Sequence, residues 1–509
     1  MSNKKDYIIS SVLFLIGIFS RLPLVEKMQS HWDGPQYSIA MVRYSFEQQT
    51  PAPPGYPLYI VLGKLANMIT DDPHRATLLV SVFFAGAGAI ALYITGKTIF
   101  NRFVGSLSSL LFLSGPTFYY FGLTSYPYGL TPALASIFFL IGYLLIFKKK
   151  NCTVIFGIFF SLLIGFRPQD LFFFLPFYAW VLFSLPIRSI VNILLASLIT
   201  FIAWFIPFVS LTAGSVDNYI SLSRSFASAG ALPVLSFNQI ERYLVSIIKG
   251  YYLSFGLAGG FIVYFIVKAK SLSSIKNKIT RKYIVLFGLW ILPSFLFNLF
   301  IRSDHAGYQM IYLSALSILI SYSIWSLFKK HKNTLVVIVF ALILYNLINF
   351  FRDRDPNYKI EYQPTTFHYT DIRKNDLQLA GKVEYINTKF DPGSTLIVAT
   401  PTLWRPIMYH LPNFLIYEFD SLITNDPRFK NIRRDAKGWI YKEYKVDKFE
   451  FVIPQNINTL ILFDNGSYNW MDGKKEIVNL PGKSTITVVD VSPGEKYTYN
   501  LDKIKVQKQ

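Results

Sequence analysis

Eleven blocks of apolar residues occupy the first 351 positions of the chain, and they constrain its fold more than any other feature. Crossing the hydrocarbon core of a bilayer takes about 20 helical residues. The blocks are Tyr7–Val25, Ala76–Gly96, Val104–Leu123, Tyr128–Phe147, Cys152–Phe166, Leu171–Pro186, Ile190–Leu211, Tyr243–Val267, Tyr283–Ile301, Gln309–Phe328 and Thr334–Phe351. Because backbone amides in lipid must bond within their own segment, each block is predicted to be a helix. The two short blocks that flank Arg167 also fit a single hairpin that does not cross fully.

The overall composition agrees with a membrane protein and not with a soluble enzyme. Of 509 residues, 52% are hydrophobic and 16% are charged, whereas about 25% are charged in an ordinary soluble domain. The single cysteine, Cys152, lies at the edge of a block. A domain outside the membrane must therefore fold without disulfides.

Basic residues alternate between the two sides of the blocks. Seventeen Lys and Arg residues and one acid, Asp6, fall on one side, whereas the alternate loops hold eight bases and nine acids. Loops rich in Lys and Arg stay in the cytoplasm, which predicts a cytoplasmic N-terminus and an extracytoplasmic segment after Phe351. The same placement accounts for the net charge of +20, because these bases face anionic membrane lipid. No basic patch stands apart from a span, so nucleic acid is not predicted as a partner.

The first block has lysines in front of an apolar run, as a signal peptide does. Near its end it carries Arg21-Leu22-Pro23-Leu24 and not a small-residue cleavage site, which predicts an uncleaved first span. The predicted location is a cell membrane, the plasma or inner membrane of a prokaryote, crossed many times.

The segment between the first two blocks, residues 26–75, is too long for a plain connector. Its features in order are His31-Trp32-Asp33-Gly34, a helical pattern beginning at Tyr37, the turn Pro51-Ala52-Pro53-Pro54-Gly55-Tyr56-Pro57, and a helical pattern through Leu58, Leu62, Leu65 and Met68. Two short amphipathic helices joined by a proline turn are predicted to lie flat on the outer leaflet.

Residues 352–509 are predicted to form a small extracytoplasmic α/β domain behind a transmembrane domain of residues 1–351. The strand patterns are Ser394–Ala399, Phe414–Glu418, Thr459–Phe463 and Ser484–Val489, and the helix patterns are Asp371–Thr388 and Thr402–His410. The fold class is thus an α-helical multispan protein with a small α/β domain at its C-terminus.

Ionisable residues are nearly absent from the interiors of the blocks and collect at their predicted outer ends. The residues concerned are Asp33, Arg167, Asp170, Arg302, Asp304 and His305. A transporter or proton pump usually places such residues near the midplane of the membrane. The pattern therefore indicates chemistry at the external interface.

Three segments resemble the GT-C superfamily of membrane glycosyltransferases, and they occur in the order found in that superfamily. His31-Trp32-Asp33 with Pro53-Pro54-Gly55-Tyr56-Pro57 is similar to its first external loop. The other two are Gly165-Phe166-Arg167-Pro168-Gln169 with Leu175-Pro176, similar to an R-P-E … L-P segment, and Asp304-His305-Ala306-Gly307-Tyr308 with Tyr312-Leu313, similar to an H-x-R-Y-L-L-P segment. Within the superfamily, the chain resembles the branch of the protein O-mannosyltransferases and aminoarabinose transferases, and it is thus similar to glycosyltransferase family 39. The resemblance covers roughly residues 5 to 350, and it departs at Asp33-Gly34, where many relatives carry an acidic pair.

The resemblance implies a hexosyl- or mannosyltransferase that moves a sugar, with inversion, from a polyprenyl phosphate to a hydroxyl group of a glycan, lipid or protein. Such a displacement needs one carboxylate to take the proton of the acceptor, and Asp33 is the candidate. The leaving phosphate needs cations, for which Arg167, Arg302 and His305 are the candidates. The remaining candidates for substrate binding are His31, Trp32, Tyr56, Gln169 and Asp304. No cofactor is predicted, and no residue is assigned as a metal ligand.

Other interpretations of the same residues remain open. Asp33 before Gly-Pro is also good helix-cap chemistry, and Arg167 could extend to the lipid head groups without binding a ligand. Asp304 and His305 also fit an ordinary polar turn, or a metal site together with His31 and Asp33. At the level of function, the alternatives are a transporter or lipid flippase, and a membrane-anchored scaffold.

Overall fold

Helices of the structure cover all the apolar blocks of the sequence. The computed structural model describes residues 4–46, 50–230, 237–271, 278–301, 306–353, 367–400, 403–420, 428–435, 438–445, 450–464 and 475–498. The chain divides into two compact units. The helical unit comprises Met1–Val25, Ala52–Arg354 and Pro364–Thr370, and the α/β unit comprises Glu26–Pro51, Asp355–Gln363 and Asp371–Gln509. Residues 26–51 of the predicted external loop thus belong to the same unit as the C-terminal sheet.

Within the described chain, every predicted block corresponds to one or two helices. Up to residue 351 the helices are α1 Lys4–Phe19, α2 Asp33–Val42, α3 Pro57–Thr70, α4 Pro73–Ile99, α5 Arg102–Ser114, α6 Pro116–Phe121, α7 Thr131–Phe147, α8 Thr153–Phe166, α9 Leu171–Phe183, α10 Ile187–Thr212, α11 Val216–Gly230, α12 Phe237–Phe255, α13 Gly260–Ser271, α14 Lys278–Phe300, α15 Met310–Phe328 and α16 Lys332–Phe351. All of these except α2 lie in the helical unit.

Eight segments of the described chain are long and apolar enough to cross a bilayer, which makes the protein a multi-pass membrane protein. Three further predicted blocks fall on shorter helices: α5 with α6, α8, and α9. The total number of crossings depends on which of these shorter helices traverse the bilayer. The predicted count of eleven therefore stays a prediction.

The helix α4 lies at the centre of the first half of the helical unit, where it packs against α1, α3, α5 and α7. Glycines lie at its close contacts with α1 and α5. A Cβ atom on Gly17 would lie 2.6 Å from the Cα of Gly86, and one on Gly105 would lie 2.3 Å from the carbonyl oxygen of Tyr93. Small residues of this kind allow helix backbones to approach closely in a membrane.

The end of α4 and the start of α5 bind Asp6 of α1, the only acid of the predicted basic side. The Asp6 carboxylate accepts hydrogen bonds from Lys97 Nζ (2.6 Å), Arg102 Nε (2.8 Å) and Tyr93 Oη (2.8 Å). Asn101 Oδ1 accepts from the backbone amide of Val104 (3.0 Å) and so caps α5. The first helix is thereby bound to the start of the α4–α5 hairpin.

The α/β unit is built on a mixed sheet in which β1 lies between two parallel neighbours. Its elements are α2, the helices α17 Tyr369–Lys389 and α18 Trp404–His410, and the strands β1 Thr395–Ala399, β2 Leu415–Asp420, β3 Arg428–Asp435, β4 Gly438–Lys445, β5 Glu450–Val452, β6 Thr459–Leu462, β7 Lys475–Leu480, β8 Ser484–Asp490 and β9 Lys496–Thr498. The order across the larger sheet is β4-β3-β2-β1-β6-β8-β7. The strand β1 pairs in parallel with β2 and β6, and the other pairs are antiparallel.

The predicted elements of the tail are confirmed, and α2 has an unexpected place. The four predicted strands are β1, β2, β6 and β8, and the two predicted helices are α17 and α18. The α2 helix is buried from Gly34 to Met41, and its Ile39 joins a core that contains Leu379, Trp404 and Ile416. The expectation that α2 lies flat on a leaflet is therefore wrong, because its apolar face is covered by the α/β unit.

Candidate active site

The first cluster of candidate residues begins where α8 ends. Pro168 disfavours the helical conformation of the residue before it, and Arg167 is extended, with φ −145° and ψ 92°. The short turn Pro168–Asp170 then leads into α9. This local geometry directs Arg167 and Asp170 into the helical unit, where their exposed fractions are 3% and 4%.

The guanidinium of Arg167 lies among aromatic rings with one acidic partner. Its Nη1 atom is 3.3 Å from Asp170 Oδ2 and donates to Thr131 Oγ1 at 3.2 Å. Its central carbon lies 4.8 Å from the ring centre of Tyr128 and 6.0 Å from that of Tyr308. A guanidinium buried in this way does not extend to lipid head groups, in contrast to the alternative interpretation of the sequence.

Part of the hydrogen-bonding capacity of this pair is unused. Among the described residues, Arg167 Nε, Arg167 Nη2 and Asp170 Oδ1 are buried and have no hydrogen-bond partner. A buried N–H without a partner is costly, and a catalytic role or a bound ion is among the explanations for such a group in a native structure. Nε and Nη2 lie on the same edge of the planar guanidinium, and this edge binds phosphate or carboxylate oxygens through two parallel hydrogen bonds.

Burial sets the protonation of the pair. Burial alone would lower the pKa of Arg167, but Asp170 and the tyrosines Tyr56, Tyr128 and Tyr308 raise it above its ordinary value. Burial raises the pKa of Asp170 to about 6, although the positive charge of Arg167 opposes this effect. The arginine therefore stays charged, while the aspartate can change its charge near neutral pH.

The proline turn of the first loop joins this cluster. Gln169 Nε2 donates to Tyr56 Oη at 2.8 Å, and Tyr219 Oη donates to the carbonyl oxygen of Pro54 at 3.1 Å. Two of the three sequence segments singled out above, the turn with Tyr56 and the segment with Arg167 and Gln169, are thus in contact within the helical unit.

The third segment is described only in part. Arg302, Asp304 and His305 lie outside the described residues. The 3-10 turn Ala306–Gln309 follows them and places Tyr308 beside Arg167. The same turn packs closely against the ring of Tyr128. Only a glycine fits at position 307, because a Cβ atom there would lie 2.3 Å from that ring.

Tyr128 and Thr131 are members of the cluster that the sequence did not single out. Both lie at the start of a block that was predicted only to be a membrane-crossing helix. The signal that could have found them is the pair Pro127 and Pro132, which interrupts the apolar pattern beside two polar side chains.

The second cluster lies in the α/β unit and contains His31, Trp32 and Asp33. Asp33 is the first residue of α2, partly exposed, and its Oδ1 atom accepts from Gln36 Nε2 at 2.6 Å. The N-cap of α2 is Trp32, which makes no side-chain cap bond, so Asp33 is not the helix cap of the alternative interpretation. An acid in the first turn is nevertheless favoured by the helix dipole. His31 is buried, and Trp32 lies against the guanidinium of Arg405 at 4.1 Å.

A metal site is not formed by the described part of the chain, in which no three His, Cys, Asp or Glu side chains are close enough to hold an ion. Of the four residues considered for such a site, His31 and Asp33 are described, and Asp304 and His305 lie outside the described residues.

Comparison with known proteins identifies the fold. No protein-family model and no curated protein matches the sequence. The structure is similar to that of ArnT from Cupriavidus metallidurans bound to undecaprenyl phosphate, with a TM-score of 0.51 and 12% identity over 81% of this chain and 85% of that chain. It is also similar to the Archaeoglobus fulgidus oligosaccharyltransferase tethered with an acceptor peptide, with a TM-score of 0.51 and 11% identity over 99% of this chain and 75% of that chain. Both are GT-C glycosyltransferases, so this chain has the GT-C fold.

Proposed function

We propose that the protein is a membrane glycosyltransferase that takes a sugar from a polyprenyl-phosphate donor and transfers it, with inversion, to an acceptor hydroxyl. The observation that carries the proposal is the buried Arg167 guanidinium with two N–H groups that have no partner among the described residues. The GT-C fold supports it, since one similar structure holds undecaprenyl phosphate and another an acceptor peptide.

In the proposed reaction, Arg167 binds the phosphate of the donor. The acceptor oxygen forms a bond to the anomeric carbon while the bond from that carbon to the phosphate oxygen breaks. The leaving lipid phosphate gains negative charge during this step. A fixed guanidinium stabilises that charge more in the transition state than in the ground state, and therefore accelerates the reaction.

Asp33 takes the proton of the acceptor hydroxyl. It is a partly exposed carboxylate at the start of a helix, so it is accessible to a substrate and its charge is supported by the helix dipole. Phosphate is already a stable leaving anion, and no second carboxylic acid is needed. Tyr56 and Trp32 are the proposed sugar-binding aromatic residues, with a hexose such as mannose as the expected sugar.

The experiment that tests the proposed function measures the release of free polyprenyl phosphate from synthetic polyprenyl-phosphate hexoses by the purified protein in detergent. Asp33→Asn keeps the size of the side chain but cannot take a proton, so turnover should fall by about 10²- to 10⁴-fold while donor binding is unchanged. Asp217→Asn is the matched control, because Asp217 is also an acid in the first turn of a helix and is exposed. Full turnover in Asp33→Asn would remove this residue as the base.

Donor binding is tested separately with Arg167→Lys. Lysine keeps the positive charge opposite Asp170 but lacks the two-pronged edge of a guanidinium. The affinity for the donor should fall at least about tenfold, with little change in the amount of folded protein. Unchanged affinity would contradict the phosphate-binding role of Arg167.

A further inference from the structure

The segment that leads into Asp33 has no regular secondary structure, yet its backbone is held by side chains of the α/β unit. Residues 27–32 precede α2 without forming a helix or strand. The backbone amides of Lys27 and Met28 both donate to Asp376 Oδ1 at 2.9 Å. The next amide, that of Gln29, donates to His410 Nε2 at 3.1 Å. Three consecutive amides are thus bound by side chains that follow them by more than 340 residues.

The Asp376 carboxylate is itself fixed. It lies on α17, it is 6% exposed, and its Oδ2 atom accepts from Arg373 Nη1 at 2.8 Å. Hydrogen bonds from N–H groups to an ionised carboxylate are stronger than those between neutral groups. One buried, oriented carboxylate therefore determines the path of two peptide units.

The side chains at the end of the segment are held as well. The Trp32 ring meets that of Trp404 edge to face, with centres 5.5 Å apart, and lies 4.1 Å from the guanidinium carbon of Arg405. Gln29 Nε2 donates to Ser38 Oγ at 2.7 Å, which connects the segment to α2. The segment is therefore held along its backbone and at its last side chain, immediately before Asp33.

We infer that Asp376 and His410 are positioning residues: by holding the amides of residues 27–29, the α/β unit fixes the place of the Asp33 carboxylate for catalysis. The inference rests on the proposed function, and it gives the C-terminal domain a catalytic role. A general base must stand within hydrogen-bond reach of the proton it takes, and a misplacement of about 1 Å can lower the rate about 100-fold.

The first test compares Asp376→Ala with Asp376→Asn. Alanine removes both acceptor bonds, so kcat should fall about 100-fold with KM for the donor nearly unchanged. The amide oxygen of asparagine can still accept from Lys27 and Met28, so Asp376→Asn should recover most of the lost kcat. Glu384→Ala is the matched control, because Glu384 is an exposed carboxylate on the same helix, and it should behave as the wild type.

The second test measures hydrogen exchange of the full-length protein. In Asp376→Ala the peptide that covers residues 27–33 should exchange faster, while peptides of β1 and β6 stay protected. His410→Ala, on a different helix, should give the same split between kcat and KM. A loss of kcat without faster exchange of residues 27–33, or faster exchange without a loss of kcat, would overturn the inference. Equal loss in Asp376→Asn and Asp376→Ala would overturn it as well.

Wild-type turnover is measured before the variants are compared. An inactive wild type that binds no polyprenyl-phosphate sugar contradicts the proposed function, and the positioning role is overturned with it. A different outcome is an active wild type with an inactive Asp33→Asn variant and a fully active Asp376→Ala variant. This outcome agrees with the proposed function and overturns only the positioning role.

Discussion

Arg167 and Asp170 illustrate how a costly buried ion pair can serve binding. Removing two charges from water costs several kcal/mol per ion, and a buried pair often adds little net stability. Here the pair also leaves buried N–H and carboxylate groups without partners in the described chain. A phosphate on the free edge of the guanidinium would satisfy the donors. It would also repel the ionised carboxylate of Asp170.

This repulsion predicts a pH dependence of donor binding. Burial raises the pKa of Asp170 to about 6, so this group takes up a proton as the pH falls through that value, while the phosphodiester of the donor stays anionic. A neutral Asp170 no longer competes with the phosphate for Arg167. The donor affinity should therefore rise about tenfold between about pH 7.5 and about pH 6, as measured by binding of a non-transferable donor analogue.

Asp170→Asn separates this effect from other titrations. Asparagine resembles the protonated aspartate at every pH, so the variant should bind the analogue tightly and almost independently of pH. A variant that keeps the pH dependence of the wild type would show that another group is responsible for it.

At the residue scale, the sequence pointed to the side chains that sit in polar motifs. Arg167, Gln169 and Tyr56 were recognised because a charged or proline-rich segment between apolar blocks is unusual. Tyr128 was not, because tyrosine at the end of an apolar span is the ordinary residue of the membrane interface. Only the tertiary contact with Gly307 and Arg167 distinguishes it from such a residue.

At the scale of the element, periodicity predicted α2 but not its partner. An amphipathic helix buries its apolar face against whatever apolar surface the fold provides, and a leaflet and a protein core present the same chemistry. Ile39 packs with Leu379 and Trp404, far away in sequence. The strands β3, β4 and β7 were missed because they carry many charged residues and show no apolar alternation.

Close helix packing gives a prediction at this scale. A Cβ atom on Gly105 of α5 would lie 2.3 Å from the carbonyl oxygen of Tyr93 and 2.9 Å from the backbone nitrogen of Lys97, both on α4. Backbone atoms cannot rotate away, so Gly105→Ala should force the two helices apart and cost about 1–3 kcal/mol. Heating the purified variant in detergent should show loss of monodisperse protein several degrees below the wild type.

Gly288→Ala is the matched control for this experiment. Gly288 lies inside α14, and a Cβ atom there would meet no heavy atom within 4 Å. Alanine is a better helix former than glycine by about 1 kcal/mol, so this variant should be as stable as the wild type or slightly more so. Equal behaviour of the two variants would show that the α4–α5 contact does not limit stability.

For the whole molecule, the number of crossings decides which side of the membrane each end occupies. Within the described chain there are eight long apolar segments, an even number, which by themselves would return the chain to the side where it began. The pair α5–α6 adds one crossing if it traverses the bilayer, and α8 with α9 adds two or none, depending on whether this hairpin traverses it. The side of the C-terminal domain thus depends on α5–α6 and not on the hairpin.

The distribution of basic residues predicts that α5–α6 crosses, because Lys97 and Arg102 before it and the lysines after α7 must both lie in the cytoplasm. Single cysteines introduced into a Cys152→Ser background test this with a membrane-impermeant maleimide on intact cells. Cysteines at Asp217 and Lys389 should be labelled, whereas one at Lys332 should be labelled only after lysis. Labelling at position 332 in intact cells, or protection of position 389, would mean that the predicted orientation is inverted, so that the α/β unit, which includes both Asp33 and Lys389, would face the cytoplasm.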